Sequence, residues 1–162
     1  MTISVGDTLP DATLVHIGNE GPAQVSLHER AKGRNVVIFG LPGAFTGTCT
    51  TSHVPSFIRT REKFAAKGVD EIICLSVNDP FVMKAWADST GAEKAGISML
   101  GDAEGQFTRA AGMEFTAAAV GLIGRSKRFA LYAEDGVVKV VHLEENPGVC
   151  DISGGEALLA AI

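Results

Sequence analysis

The chain has 162 residues, of which 46% are apolar and 20% charged, with a formal net charge of -5. That length and composition suit one domain over residues 1–162, with a core large enough to fold without disulfide staples. The acidic balance speaks against nucleic acid as a partner, and no apolar run is long enough to span a bilayer, so neither nucleic acid nor a membrane is expected.

Near the N-terminus, Asp7 and Asp11 interrupt the chain early, with no cationic start and apolar stretch to read as a signal peptide. The first clear element is Asn35–Gly40, NVVIFG, a short run rich in β-branched residues of the kind found in buried parallel strands. A loop, LPGAFTG, follows over residues 41–47. The spacing of Val54, Phe57, Ile58, Phe64 and Ala65 predicts a helix over residues 48–67, stopped by Gly68. Residues 71–77, EIICLSV, form a second buried strand. Asn78 and Asp79 then cap a helix with Pro80 at its first position, carrying Phe81, Met83, Ala85 and Trp86. Ile97–Gly101 is a third strand and residues 106–111 a short helix. Residues 128–133 and 137–142 flank Glu134, Asp135 and Gly136, a strong hairpin signal. The last ten residues, from Ser153, close the chain as a helix. The order strand, helix, strand, helix, hairpin, helix predicts an α/β domain of three layers.

The chemistry concentrates in residues 40–57, GLPGAFTGTCTTSHVPSF. A glycine-rich loop joins a buried strand to a helix, and Cys49 falls in that helix's first turn. Unpaired N–H groups and the positive end of the helix dipole favour a thiolate over a thiol there, and the thiolate is the nucleophile. The Thr46 hydroxyl lies within reach of the sulfur or of an oxygen bound to it. Gly43 leaves backbone N–H groups open to a small ligand, and Pro42 stiffens the loop. A phosphate-binding loop is excluded, because Phe45 stands where its second glycine is required and no lysine occurs between Gly40 and Thr60. Cys49 and His53 are spaced for two metal ligands on one helix face, but no second pair completes a site. His53 therefore reads as a surface or cap-region histidine, and no metal or cofactor is expected. A cysteine hydrolase lacks a base with its orienting partner. Two further readings remain from the residues alone. Cys49-Thr-Thr-Ser52 has the C-x-x-S form of a thiol–disulfide oxidoreductase, and a slowly oxidised redox sensor needs no more than a reactive thiol. Neither explains the Thr46 loop, which suits an oxygen-rich small substrate.

The stretch PGAFTGTC, from Pro42 to Cys49, closely resembles the active-site signature of the peroxiredoxins, and more narrowly that of the type II, or type 5, subfamily. HVPSF (residues 53–57), GVDEIICLSVNDPFVMKAW (68–86) and RSKRFAL (125–131) resemble the same subfamily, so the likeness runs over nearly the whole chain. One departure is visible. Gly47 stands where the family usually has proline, which predicts a looser loop without loss of activity. The resemblance implies a thioredoxin-like fold with a central mixed β-sheet and a thiol peroxidase acting on hydrogen peroxide and organic hydroperoxides. It implies that Cys49 is the peroxidatic cysteine, that Thr46 holds the peroxide oxygens with N–H groups near Cys49 and Gly43, that Arg128 stabilises the sulfur's charge, and that Pro42 shields the sulfenate. Without the family, Arg128 is one of several basic residues in GRSKR, with the prior of any surface arginine.

Three cysteines, Cys49, Cys74 and Cys150, do not resemble a secreted disulfide framework, so the cytoplasm is the expected compartment. Cys74, inside a buried strand, reads as core filler, although the family offers a resolving role at its position. Cys150, in NPGVCD, is the more exposed candidate, about two residues early against the family's pattern. The resolving thiol is Cys74, Cys150 or neither, with glutathione and glutaredoxin or thioredoxin as reductant. A homodimer is expected, with Phe45 and the Phe81 region on its face.

Overall fold

A computed structural model describes residues 1–162. In chain order it contains β1 (Thr13–Gly18), β2 (Gly21–Ser26), α1 (Leu27–Ala31), β3 (Asn35–Gly40), α2 (Val54–Ala66), β4 (Glu71–Ser76), α3 (Pro80–Thr90), β5 (Ile97–Gly101), α4 (Gln106–Ala110), β6 (Glu114–Ala117), β7 (Leu122–Ser126), β8 (Phe129–Glu134), β9 (Val137–Leu143) and α5 (Gly155–Ala161). Seven strands form one mixed sheet in the order β2-β1-β5-β4-β3-β8-β9, and β6 and β7 pair separately. The β3, β4 and β5 ladder is parallel at the centre, and antiparallel strands complete both edges.

The central strands show why their sequences are apolar at consecutive positions. Val37 and Phe39 of β3 face a core shared with Phe57 and Phe64 of α2, Trp86 of α3 and Leu158 of α5. Val36 and Ile38 face the opposite core, with Leu27 and Ala31 of α1 and Phe107 of α4. A strand covered on both faces loses the polar half of its alternation. The expected α/β arrangement of three layers is therefore the one the chain adopts. No helix is long and apolar enough to cross a membrane.

The hairpin expected after residue 128 forms with Asp135 and Gly136 at φ 48° and 77°. Two successive left-handed residues are what a tight turn between twisted strands requires, and Asp-Gly supplies them at low cost. Its first strand opens at Phe129, leaving Arg128 just outside the ladder. The closing helix starts at Gly155, two residues later than the sequence predicts. The N-terminal hairpin β1–β2 and the β6–β7 hairpin have no counterpart in the sequence reading. β2 is an exposed strand containing Pro22, a composition typical of sheet edges.

The helix expected over residues 48–67 is not continuous α-helix. Residues Cys49–His53 form one widened π turn, in which the Val54 N–H donates to the Cys49 carbonyl, and the regular helix runs from Val54. Pro55 explains the change. It has no N–H to donate, and its ring crowds the carbonyl four residues back, so a wider turn absorbs the conflict. Gly68, at φ 88°, follows the end of α2 in the left-handed conformation expected of a helix stop.

Candidate active site

Strand β3 ends at Gly40 in the middle of the sheet, so the loop after it emerges at the C-terminal ends of the parallel strands. A Cβ on Gly40 would collide with the Phe129 ring, and its absence lets β8 start close by with Arg128 immediately before it. The loop is fixed at several points. The Ala44 N–H donates to Asn78 Oδ1 (3.0 Å), which also accepts from Ser76 Oγ (2.6 Å). Arg125 of β7 donates to the Pro42 carbonyl (3.1 Å). Gly43 makes that reach possible, since a Cβ there would stand 2.6 Å from the Arg125 guanidinium. Phe45 holds φ 64°, an uncommon conformation for an aromatic residue, and its ring is exposed.

Cys49 opens the π turn with its thiol buried. Its own N–H and that of Gly43 donate to no backbone or side-chain acceptor. Arg128 Nη2 lies 3.2 Å from Cys49 Sγ and donates to it. The arginine is buried, contrary to the surface position the residues alone suggested, and each face of its guanidinium is occupied. Nε–H donates to the Pro147 carbonyl (2.9 Å) and Nη1–H to His53 Nδ1 (3.0 Å).

His53 is the main correction to the sequence reading. It is not a surface histidine but fully buried, and its ring stacks in a tilted geometry on Phe39 and Phe57. Its Nε2–H donates to the Ser153 carbonyl (2.9 Å). A carbonyl only accepts and a guanidinium only donates, so the ring must be neutral with its proton on Nε2. Burial holds its pKa down to about 3, the Arg128 charge acts in the same direction, and the bond to Ser153 opposes them. Cys49 and His53 do share one helix face, but what they share is Arg128.

Thr46 sits at the mouth of the site, where its hydroxyl donates to the Gly43 carbonyl (2.7 Å). Of the two partners expected for it, the sulfur is not the one it bonds, and the hydroxyl's lone pairs are left as the free face toward a bound oxygen. Pro42, Thr46, Thr48 and Arg128 line a cleft of about 400 Å³ together with Phe115, Ala117 and Leu122 of the β6–β7 hairpin, which make its apolar wall. The cleft thus joins a cationic end to an apolar wall.

All three cysteines are free thiols. Cys74 lies in β4 between Phe39 of β3 and Met99 of β5, fully enclosed. Burial pushes its thiol well above the ordinary range, and a negative Cys49 pushes it further. Cys150 is half-buried beside a polar groove of about 460 Å³ that includes Ser52, Ser56 and Arg59. Burial raises its thiol as well, against the Ser153 hydroxyl and Arg128, which lower it.

Sequence reasoning missed His53, Arg125, Asn78 and Glu144. His53, Arg125 and Asn78 act through bonds to residues tens of positions away, and Glu144 through bonds within the irregular segment that follows it; only the Asn78-Asp79-Pro80 helix start carried a local signal.

Residues 4–159 match the redoxin family. The chain is 49% identical over 161 residues to Peroxiredoxin-2C of Oryza sativa subsp. japonica, covering 99% of this chain and 98% of that one. Among solved structures, a putative thioredoxin reductase from Burkholderia cenocepacia superposes with a TM-score of 0.95 at 40% identity, over 100% of this chain and 99% of that one. Reduced Prx3 in complex with hydrogen peroxide, from Vibrio vulnificus, superposes with a TM-score of 0.90 at 42% identity, over 99% of each chain.

Proposed function

The chain belongs to the redoxin family and, within it, to the type II peroxiredoxins, which are thiol-dependent peroxidases, and we propose that Cys49 is its peroxidatic cysteine. The observation that carries this assignment is the buried Cys49 sulfur 3.2 Å from the Arg128 guanidinium, at the start of a helix and beside the cleft. Arg128 stabilises negative charge on the sulfur. A hydroperoxide enters with its hydroxyl donating to Thr46 Oγ1, while the N–H groups of Gly43 and Cys49, which have no acceptor of their own, are available to the oxygen charge as it develops. The thiolate attacks the distal oxygen. An S–O bond forms as the O–O bond breaks, and the leaving oxygen takes a proton to depart as water or an alcohol. Cys49 is left as a sulfenic acid. Buried Pro42 shields that product. The apolar wall of Phe115, Ala117 and Leu122 suits the alkyl group of an organic hydroperoxide as well as hydrogen peroxide.

A thiol then condenses with the sulfenic acid to give a disulfide and water, and a second thiol releases Cys49. Glutathione with glutaredoxin, or thioredoxin, supplies these thiols, either directly or by way of Cys150. The enclosure of Cys74 between β3 and β5 favours a packing role over a resolving one. Mass spectrometry after one equivalent of peroxide tests this division. The expected products are a bare sulfenic acid or a Cys49–Cys150 link. A Cys49–Cys74 link overturns the role given to Cys74. The cytoplasm, a reducing compartment, fits three free thiols.

We also place a homodimer face around the mouth of the cleft. Phe45, Phe81, Val120 and Ile123 are exposed, and the Ala44–Asn78 bond ties the Phe45 loop to the start of α3, where Phe81 lies. Clustered exposed apolar side chains mark protein interfaces. Sedimentation at micromolar concentration is expected to show a dimer that Phe45→Ser weakens. A wild-type chain that remains monomeric there removes the assignment.

A further inference from the structure

The two acceptors that aim Arg128 both come from one segment, residues 145–153, or act through it. Pro147 gives its carbonyl to Nε–H, and Ser153 gives its carbonyl to His53, whose Nδ1 receives Nη1–H. The segment has no regular structure between β9 and α5. One side chain gathers it. The Oε2 oxygen of Glu144 accepts from the Asp151 N–H (2.6 Å), the Ser153 N–H (2.9 Å) and Ser153 Oγ (2.7 Å). The Glu144 N–H donates to the Arg128 carbonyl (3.0 Å), so the same residue is tied to both ends of the arrangement. Thr48 Oγ1 to the Gly148 carbonyl and His142 Nδ1 to the Ile152 carbonyl are the remaining ties.

We propose that Glu144 is a positioning residue for the thiol chemistry. By holding residues 145–153 folded over the site, it sets the Pro147 carbonyl that receives Arg128 Nε–H and the Ser153 carbonyl that fixes the His53 ring beside Nη1. The guanidinium then has one free direction, toward Cys49. Three charge-assisted bonds on one buried oxygen are a costly feature to keep for a surface turn, and they make sense where a carbonyl must be held in place. The carboxylate's own state agrees. Burial pushes its pKa up, but the bonds from Ser153 and Asp151, with the Arg128 charge, outweigh burial and leave it below the ordinary carboxylate value. The same segment carries Cys150.

The inference rests on the reading of Cys49 and Arg128 as the reacting pair, and its test separates the two. Single-turnover peroxide consumption and the pH profile of Cys49 alkylation by iodoacetamide are measured on Glu144→Ala, Glu144→Gln, Arg128→Ala and the double variant. Glu144→Ala is expected to slow the first oxidation about tenfold, the weight of one charge-assisted bond, and to move the alkylation profile to higher pH. Glu144→Gln, which keeps an accepting carbonyl, is expected to restore most of the rate. In an Arg128→Ala background, Glu144→Ala is expected to change the rate less than about twofold, because its effect passes through the arginine. A folded Glu144→Ala with wild-type rate and profile overturns the proposal, as do losses that multiply in the double variant. Should Glu144→Ala fail to fold, Ser153→Ala removes the hydroxyl bond to Glu144 and the long contact to Cys150 while keeping both backbone bonds, and the same coupling to Arg128 is required of it. Peroxide consumption by Cys49→Ser at the wild-type rate would instead sink the underlying assignment.

Discussion

Cys49→Ser abolishes peroxide turnover. A serine hydroxyl in the same place does not ionise near neutral pH and lacks the soft, polarisable sulfur that attacks an O–O bond. Arg128 keeps an acceptor in the serine oxygen, so the fold and the cleft survive, and loss of rate reports the chemistry alone. Turnover is expected to fall to the background of free thiol and peroxide, by about five orders of magnitude or more, as when a nucleophile is removed from an otherwise intact site. Cys74→Ser and Cys150→Ser retain the first oxidation, since neither thiol touches the Arg128 guanidinium. The measurement is consumption of one equivalent of peroxide in the absence of reductant. A Cys49→Ser protein that consumes it at the wild-type rate would place the reacting thiol elsewhere.

The second large effect is on stability in acid. His53 is neutral in the folded protein, with its pKa held to about 3, whereas in the unfolded chain a histidine titrates near 6.5. Below pH 6.5 the unfolded chain therefore binds one proton more than the folded one. Stability falls as pH drops, by about 1.4 kcal/mol per pH unit, to a total of about 5 kcal/mol near pH 3. Between pH 6.5 and 5, where few carboxylates change, the expected loss is about 2 kcal/mol. Glu144 adds to this lower down. Its depressed pKa gives stability that is present above the ordinary carboxylate range and lost as pH falls through the folded value. Denaturant unfolding at pH 7, 6 and 5 measures the slope. His53→Gln keeps one acceptor and one donor in the ring's place, and it is expected to flatten the slope between pH 6.5 and 5. Equal slopes in the two proteins would mean that His53 is not a buried neutral base.

Much of this arrangement was legible in the sequence where the signal is local. NVVIFG and EIICLSV are apolar at consecutive positions because both faces of their strands are covered. Asp135-Gly136 announces its turn by backbone chemistry. The segment from Pro42 to Cys49 reveals its purpose because a thiol at a helix start needs few neighbours to become reactive. Other features depend on partners the chain brings from afar. His53 sits on the same helix as Cys49, yet its burial depends on Ser153 and Arg128, 100 and 75 residues away. Arg128 itself is one cation among several in GRSKR until the Pro147 carbonyl and Cys49 close around it. The π turn is a middle case. Pro55 was visible and its conflict with α-helix foreseeable, but the residues that absorb it are chosen by packing. The hairpins β1–β2 and β6–β7 are short and partly exposed, so they lack the hydrophobic rhythm by which strands are read.

The β6–β7 hairpin pairs only with itself, outside the seven-stranded sheet. It carries Phe115, Ala117 and Leu122 into the cleft that Pro42 and Thr46 also line. Its solvent-side positions are not part of the two cores that hold β3, β4 and α2. Exchange of the Phe115, Ala117 and Leu122 side chains can therefore adapt the cleft to bulkier or slimmer peroxides, provided that Arg125 of the same hairpin keeps its bond to the Pro42 carbonyl. The molecule thus separates a set of mutually constrained residues, Cys49, His53, Arg128 and Glu144, from a wall of three apolar side chains that lies outside those constraints.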